Sequence, residues 1–389
     1  MAGLFARLWG RTEARSAPSA ALTYAEAFGV NPTASGAYVG PHMAENLATV
    51  LACVNAISTV LASMTPRVYF VAPKGRTELP THPVARLLRV PNAEQTWPDW
   101  LEWTMAQVLL HGNAVSAVET DRAGRPVALR PLPWGAVQLY RLSSSRLAYD
   151  VVQSSGRVRR YFAEEVFHLR DRSDDGVIGR SRISRARDVI GNAAALQEWS
   201  GSMWQNQVTP SGVLIHPKSL SDEAHGHLKQ SLQERHSGPS NARRFMVLEE
   251  DMKWQSIGVS PEDAEALASR RFTVEELCRL FQVPPPIVQD LSHGTFTNSR
   301  EAGRWFAQFT LAPWARKIEA EFSRSVFSAS DADCVLEVDM SDLLRGDAEA
   351  RWQSHKIAVE AKILDPDEVR EIEGWNPRSV RQHAPTGTG

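Results

Sequence analysis

Cysteine and net charge are both scarce in this chain of 389 residues. Its cysteines, Cys53, Cys278 and Cys334, lie far apart and form no CxxC pair, which excludes a zinc ribbon and a dithiol redox motif. So sparse and odd a count is typical of proteins in a reducing compartment. The 43 basic residues are balanced by 45 acidic residues, whereas proteins that coat nucleic acid non-specifically are strongly basic. Any contact with DNA must therefore come from local patches or from geometry.

Long hydrophobic runs are also scarce. Residues 1–39 begin with a basic segment rich in Ala, Ser and Pro and have no apolar stretch typical of a signal peptide, which predicts a flexible arm. The longest apolar stretch, 45–64, has the length of a membrane span, but polar residues interrupt it. Its aliphatic side chains recur at helical spacing, which predicts an amphipathic core helix and no transmembrane segment. The members of this buried stripe are Leu47, Val50, Leu51, Val54, Ile57 and Leu61.

Motifs of common catalytic sites are missing. The chain has no GxxxxGK[ST] loop, no GxGxxG after a predicted strand, and neither GxSxG nor HExxH. His225 and His227 are two residues apart on a predicted helix and do not face one metal position. Asp171, Asp174 and Asp175 leave two interpretations open, a divalent-ion site or ion pairs with neighbouring arginines. The sequence therefore predicts no enzyme activity, no cofactor and no metal site.

Residues 40–180 are predicted to form an α+β block, in which helices pack on an antiparallel sheet. Turn signals at 121–124 and 154–156 separate short strand-like segments. A helix at 97–111 has complete boundary signals, with Thr96 as N-cap, Pro98 in the first turn and Gly112 at its end. The predicted strands are 67–71, 113–119, 126–132, 136–140, 146–152, 159–162 and 165–169.

Two long predicted helices enclose a small α/β block in the middle of the chain. The first helix, 183–206, ends before Pro210. The block contains a strand at 212–215, a helix after Ser221 and a strand at 243–250. The second helix, 260–282, has Ser260 as N-cap and Pro261 at its first position. The chain is thus predicted to run along one long helix, through a compact block and back along another.

The remainder of the chain is predicted to be mainly helical. A polar loop at 290–299 leads into a helix that starts near Asn298 and bends near Pro313. A strand at 334–340 follows, and then two C-terminal helices. The second of these has Asp365 as N-cap and ends at Gly374. The tail after residue 380 is predicted to be disordered.

Several segments, in this order and at this spacing, resemble the portal (head-to-tail connector) proteins of long-tailed, lambda-like phages. One is VLEEDMKWQSIGVSPEDAEALASRRFTVEELCRLFQVPPPIV at 247–288, which leads into TNSREAGRWFAQFTLAPWARKIE at 297–319. The others lie at 47–69, 81–132, 167–190 and 343–375, so the resemblance covers most of residues 42–376. No segment is a catalytic signature, and the specificity lies in their order and spacing.

The resemblance implies a ring of twelve copies at one capsid vertex, through which a separate ATP-driven terminase pumps DNA. It implies a portal-type α+β fold with an antiparallel-sheet wing, long paired stem helices, a small α/β clip and a helical C-terminal crown. Assigned by order, the regions are a flexible arm (1–39), wing (40–180 and 300–345), first stem helix (181–208), clip (209–258), second stem helix (259–283), tunnel loop (284–299), and crown with a disordered tail (346–389).

The resemblance also implies partners and a location. The partners are double-stranded DNA that slides without sequence-specific contacts, the terminase large subunit, a head-tail adaptor and the major capsid protein, with no membrane. The location is the portal vertex of the virion, and the host cytoplasm during assembly. A phage, a prophage and a gene transfer particle are all compatible sources.

The implied tunnel loop has the chemistry of a conduit that holds DNA without gripping it. One good bidentate base contact contributes about 1–3 kcal/mol, and a ring would multiply it. The loop instead offers small uncharged contacts, with Phe296 as a steric element. A polar loop that caps a helix on an ordinary surface is the competing interpretation. The loop residues are Ser292, His293, Gly294, Thr295, Phe296, Thr297, Asn298 and Ser299.

Two further sets of residues are predicted to contact other proteins. The arginines around the start of the first stem-like helix either bridge subunits or face DNA, and neighbouring acids such as Asp188 favour bridging. The tryptophans on this helix are core or interface anchors. The predicted subunit interface comprises Arg180, Arg182, Arg185, Arg187, Trp199 and Trp204. The predicted clip contacts for terminase or adaptor are His225, His227, Lys229, Arg235, Arg243 and Arg244.

Two other hypotheses compete with the conduit. One is a metal-dependent nuclease or protease of phage head maturation that uses the acidic segment 171–175 together with the histidines at 225–236. The other is a capsid-associated adaptor or scaffold that has no channel. Deleting residues 290–299 separates this last hypothesis from the conduit, because only a conduit needs the loop for DNA passage.

Overall fold

The structure, a computed structural model, describes most of the chain outside the N-terminal arm, the middle block and the C-terminal tail. The described residues are 21–22, 33–36, 38–73, 75–153, 155–206, 213–215, 227, 253–255, 261–291, 296–340, 348–373 and 375. No helix within these ranges is long and apolar enough to cross a lipid bilayer.

Helices and antiparallel strands alternate along the described chain. The helices are α1 (Pro41–Glu45), α2 (Ala48–Ser63), α3 (Pro83–Leu87), α4 (Trp97–His111), α5 (Arg182–Arg185), α6 (Arg187–Asn206), α7 (Pro261–Phe281), α8 (Phe296–Trp305), α9 (Ala312–Ser325), α10 (Ala348–Glu360) and α11 (Pro366–Ile372). The strands are β1 (Ala21–Leu22), β2 (Thr65–Ala72), β3 (Gly75–Glu78), β4 (Asn113–Thr120), β5 (Pro126–Leu132), β6 (Val137–Arg141), β7 (Leu147–Val152), β8 (Val158–Phe162), β9 (Val166–Arg170), β10 (Val213–Ile215), β11 (Lys253–Gln255) and β12 (Cys334–Asp339).

The chain divides into two compact units. The larger comprises residues 1–29, 51–182 and 278–389, and the smaller comprises residues 30–50 and 183–277. The larger unit holds three antiparallel sheets, with strand orders β5-β4-β9, β1-β6-β7-β8 and β12-β2-β3. This mixture of helices and antiparallel sheets confirms the predicted α+β class.

Helix α4 and strand β4 form the centre of the larger unit. Thr96 and Asp99 close a capping box at the start of α4, and Gly112 ends the helix with a φ of 82°, as predicted. Strand β4 follows at once and is buried over most of its length. It pairs with β5 on one side and with β9 on the other, which makes it the central strand of its sheet.

An aromatic cluster joins α4, β9 and α9. The ring of Trp100 lies 5.3 Å from Phe167 and 6.1 Å from Phe322, and Phe167 lies 5.3 Å from Phe322 (centroid distances). All three side chains are fully buried. Rings packed edge to face at such distances add to the free energy of burial, so this cluster fixes α9 against the sheet.

Three expectations need correction, and one strand was not predicted. Leu51 is exposed on α2, because it lies about a quarter turn from the centre of the stripe set by Val54 and Ile57. The arm predicted to be flexible contains β1, which pairs with β6. The polar strand β3, which has every residue exposed, shows no apolar alternation and was missed. The predicted helix 183–206 is two helices, α5 and α6, separated at residue 186.

The smaller unit contains the long helix α6 and most of α7, which have 20 and 21 residues. Strands β10 and β11 pair antiparallel, with Leu214 opposite Trp254. Strand β11 was not predicted, and the predicted helix after Ser221 and strand at 243–250 lie outside the described residues, apart from helical His227. At Gly191 of α6 an added Cβ would lie 2.7 Å from Thr33 Oγ1, so the 33–36 turn packs directly on the helix backbone.

Candidate functional site

The predicted tunnel loop is shorter than expected. Helix α8 begins at Phe296 rather than near Asn298, so its first turn contains the predicted loop residues Phe296, Thr297, Asn298 and Ser299. Asn298 therefore lies within the first turn of α8 and not at the N-cap position that was predicted. Ser292, His293, Gly294 and Thr295 lie outside the described residues.

The chain that leads into this loop is fixed by backbone hydrogen bonds. After α7, Gln282 adopts a φ of 61°, and the Val283 amide donates to the Cys278 carbonyl at 2.9 Å. Residues Pro285–Val288 form a 3₁₀ turn that ends at Gln289, with a φ of 65°. Left-handed backbone at non-glycine residues is uncommon, and here it occurs twice within ten residues, at Gln282 and Gln289. The loop therefore starts from a defined point.

The helix that follows the loop contains a π-helical segment. Phe306–Leu311 is wound with i to i+5 hydrogen bonds between α8 and α9, and the Ala312 amide donates to the Ala307 carbonyl. Pro313, where a bend was predicted, lies just beyond it and has no N–H to donate. The hydroxyl of Thr310 donates to the Gln282 carbonyl, which ties this segment to the end of α7.

Arg182 is a buried clamp at the beginning of α5. Its Nε lies 3.0 Å from Asp171 Oδ2, and its Nη1 donates to the Leu280 carbonyl at 3.3 Å. Its guanidinium lies 5.7 Å from the ring centre of Trp314. The two charged side chains are only 14% and 10% exposed. Arg182 therefore joins the start of α5, near the first long helix, to the end of α7, the second long helix.

The predicted acidic segment is engaged within the chain. Asp171 pairs with Arg182, and Asp174 pairs with Arg180 at 3.3 Å on the surface. Asp175 accepts hydrogen bonds from Ser173 and from two backbone amides. Burial opposes ionisation of Asp175, but these hydrogen bonds outweigh it and lower the pKa of the carboxyl. The ion-pair interpretation of this segment is confirmed for Asp171 and Asp174. Within the described ranges no group of three His, Cys, Asp or Glu side chains has the geometry of a metal site.

The backbones of Gly112 and Gly179 are in direct contact where the 171–181 segment passes the end of α4. We call this contact the glycine crossing. A Cβ on Gly112 would lie 2.6 Å from both the Gly179 carbonyl oxygen and the Ser181 nitrogen, and a Cβ on Gly179 would overlap the Gly112 carbonyl oxygen. The Asp171 amide donates to this carbonyl at 2.9 Å. This crossing holds the segment that leads into α5 in contact with the sheet.

A buried polar network supports the crossing. Asn113 Oδ1 accepts from the Gly179 amide at 2.8 Å and from His168 Nε2 at 3.0 Å, and Asn113 Nδ2 donates to the Gly179 carbonyl at 2.7 Å. Because Oδ1 only accepts, Nε2 carries the proton, and His168 Nδ1 accepts from the Tyr149 hydroxyl at 3.0 Å. The His168 backbone amide donates to Glu321. The network therefore holds a neutral imidazole.

The buried imidazole gives the fold a pH dependence. Complete burial, assisted by the positive charges of Arg170 and Arg324, holds the pKa of His168 well below its ordinary value of 6.5. Below about pH 6.5 the unfolded chain binds a proton at His168 that the folded chain excludes, so the free energy of unfolding falls by about 1.4 kcal/mol per pH unit. Above that pH the group is neutral in both states and adds no slope.

This prediction is measured by urea unfolding, followed by tryptophan fluorescence, between about pH 7.5 and 5.5. His168→Gln should lose this part of the slope, whatever its effect on absolute stability. His42→Gln, at an exposed position on α1, should retain it. Equal slopes in the two variants would contradict the assignment.

The remaining predicted interface and clip residues are placed only in part. Arg185 and Arg187 are half-buried, and Trp199 is exposed on α6, so Trp199 is not a core residue of the chain itself. Trp204 is on α6, but its side chain lies outside the described set. Of the predicted clip residues only His227, which is exposed, is described. The others, His225, Lys229, Arg235, Arg243 and Arg244, lie outside it.

Sequence reasoning missed the residues of the polar network. Asn113, His168 and Glu321 are far apart in the chain and belong to no motif. The available signal was an isolated Asn and an isolated His within strands that are otherwise apolar, since buried polar groups need partners.

The comparisons with known proteins agree on one family. The model of the family described as "Phage portal protein" matches residues 48–374. The "Probable portal protein" of Streptomyces phage phiC31 is 30% identical over 359 residues, covering 88% of this chain and 78% of the relative. The "Portal protein" of Enterobacteria phage HK97 is 29% identical over 339 residues, covering 85% and 79%. A chain from the neck of a native gene transfer agent particle, computed with C12 symmetry, has a TM-score of 0.61 at 23% identity and covers 91% of this chain and 98% of its own.

Proposed function

The chain belongs to the phage portal protein family, and we propose that twelve copies close into a ring that conducts double-stranded DNA. Its function is that of the family, the portal that forms a channel at one vertex of a capsid. The family is structural rather than enzymatic. The observation that carries the proposal is the family match over residues 48–374, which spans strands β2 to β12, both long helices and the C-terminal helices. The symmetry computed for the similar neck chain supports the number twelve.

The regions follow from the order of the elements. Residues 40–180 and 300–345, which contain strands β2 to β9 and β12, are assigned to the wing, and α6 and α7 are assigned to the paired stem helices. The segment between them, with the β10–β11 pair, is the clip, and residues 292–295 with the start of α8 are the tunnel loop. Helices α10 and α11 are the crown. The support is the order of the elements, since the β10–β11 pair lies between α6 and α7 in the chain.

The channel is proposed to hold DNA loosely. The chain is close to neutral, with a formal charge of −2, so few counterions are released on contact and affinity stays low. Residues 292–295, Ser-His-Gly-Thr, carry no formal charge with His neutral.

The proposed partners and location follow the family. They are the terminase large subunit and the head-tail adaptor at the clip, the major capsid protein at the wing, and the virion vertex, reached from the host cytoplasm during assembly. The nuclease or protease hypothesis is not favoured, because Asp171, Asp174 and Asp175 are engaged in structural contacts. The scaffold hypothesis is not favoured, because the family forms a channel.

Native mass spectrometry and electron microscopy of the purified full chain test the ring. We expect closed rings close to twelve times the monomer mass, with a central opening wide enough for a duplex. A stable monomer under assembly conditions, or a ring without an opening, would overturn the proposal.

Charge placed in the loop tests the loose channel. Ser292→Arg with Thr295→Arg should leave the ring intact but raise its affinity for DNA by about tenfold or more at low salt, with a steeper salt dependence. Ser143→Arg with Ser144→Arg adds the same charge to an exposed turn of the larger unit and should change both quantities much less. Equal effects in the two variants would place the loop away from the DNA.

A further inference from the structure

The two C-terminal helices leave most of their apolar side chains outside. Among the described side chains of residues 351–373, Val369 alone is buried. The large apolar residues on the surface of this helical hairpin are Trp352, Ile357, Ile363, Ile372 and Trp375. A helix of 13 residues is marginal in water unless it buries one face, so the part of the chain that the structure describes does not cover this hairpin as its composition requires.

The hairpin is closed by polar contacts instead of an apolar core. Glu373, after α11, lies 2.7 Å from Arg351 Nε and 2.9 Å from His355 Nε2, both on α10. Trp352 and Trp375 touch at a centroid distance of 5.6 Å but remain exposed. Because this polar cluster already joins the two helices, the isoleucines are not needed within the hairpin.

The turn after α10 shows the same feature. Lys362 adopts a φ of 55°, and the Ile363 amide donates to the Ala358 carbonyl at 2.9 Å, the pattern of a Schellman motif. The apolar residue at this position of the motif usually packs back on its own helix. Ile363 is instead 74% exposed, so its side chain contributes little to the packing of the hairpin.

The charge of the hairpin indicates which kind of molecule covers it. Residues 348–375 contain four basic and seven acidic residues, and such an excess of negative charge disfavours DNA as the occupant. The charges are also unevenly distributed, since residues 351–363 carry three basic residues and one acidic residue, Glu360, which pairs with Lys356, whereas residues 365–373 carry five acidic residues and one basic residue, Arg370. Surfaces of opposite charge on one molecule fit a head-to-tail contact between copies.

We propose that the lysine-flanked isoleucines of one hairpin pack against the acidic α11 surface of the hairpin in the next copy of this chain. This inference rests on the proposed ring, which brings identical hairpins side by side. It assigns a subunit interface to residues 351–375, a segment in which the sequence analysis assigned no contacts.

Paired substitutions test the interface. Ile357→Asp with Ile363→Asp should reduce the fraction of chains in closed rings at least tenfold by native mass spectrometry, because each ring repeats the contact twelve times. Val127→Asp with Val158→Asp places the same charges at comparably exposed positions on strands and should leave rings intact. Rings as abundant as wild type in the Ile357/Ile363 variant would overturn the proposal.

A photocrosslinking residue at position 357 provides a readout that does not depend on folding of that variant. Irradiation of assembled wild-type-like rings should give covalent dimers, with crosslinks mapped to residues 365–375 of another copy. Crosslinks to any other region, or none, would overturn the interface. If the wild-type chain forms no ring at all, the proposed function fails first, whereas intact rings without these crosslinks refute only this inference.

Discussion

Replacing Gly179 by alanine is expected to prevent the larger unit from folding. The new methyl group would overlap the Gly112 carbonyl oxygen and lie 2.9 Å from the Asp171 nitrogen. Both neighbours are backbone atoms, so no side-chain rotation relieves the overlap. The Gly112 carbonyl is itself held by the Asp171 amide. We expect the free energy of unfolding to fall by more than about 4 kcal/mol, a loss typical of core disruption and backbone strain. The variant should be insoluble on expression or should show no cooperative unfolding transition.

Gly176→Ala is the matched control for this variant. Gly176 lies three residues earlier in the same segment, has a φ of 76°, and has nothing within 4 Å of an added Cβ. Gly176→Ala should lower the free energy of unfolding by roughly 1–2 kcal/mol, because alanine must adopt a left-handed backbone conformation there. If the two alanine variants unfold at similar denaturant concentrations, the close crossing does not constrain the fold.

Replacing Arg182 by methionine should cost about 3–5 kcal/mol, because it leaves a buried carboxylate without its partner. Asp171 would lose its ion pair, and the Leu280 carbonyl would lose a donor. Methionine keeps much of the apolar volume against Trp314, so the loss reports charge and hydrogen bonding rather than a cavity. Urea unfolding of the full chain measures the difference.

Arg180→Met provides the comparison two residues away. Its ion pair with Asp174 is about half exposed on both sides, and such surface pairs contribute at most about 1 kcal/mol. Adding Asp171→Asn to Arg182→Met should restore part of the lost free energy of unfolding, because the buried carboxylate that has no ion-pair partner is then replaced by a neutral amide. Similar losses for Arg180→Met and Arg182→Met would refute the clamp.

Local features were predictable from the sequence. Thr96, Pro98 and Gly112 mark the ends of α4 through chemistry that acts within a few residues, and the strands from β4 to β9 follow from apolar alternation between turn signals. The two long helices were located within a few residues for the same reason. Strand β3 was missed because it is short, polar and exposed, so no burial pattern marks it.

The contacts that organise the candidate site were not predictable. The Asn113–His168 hydrogen bond joins residues 55 apart, and the Glu321 contact with His168 joins residues 153 apart. Nothing in one sequence sets such pairings, because they depend on which elements meet in space. Arg182 was singled out for its charge, but its buried partners at Asp171 and Leu280 became visible only in the structure.

The glycine crossing between α4 and the 171–181 segment also predicts which positions of this segment tolerate substitutions and insertions. Residues 172–176 are exposed or half-exposed, whereas Val177 is buried in the core of the larger unit, so insertions and polar exchanges should survive selection at 172–176 and not at 177. Substitutions of Gly112, Asn113 and Gly179 should not be tolerated, because each of these residues contacts the backbone of the other segment at the crossing. Random mutagenesis should therefore yield functional clones in which residues 172–176 vary, whereas Gly112, Asn113 and Gly179 are unchanged.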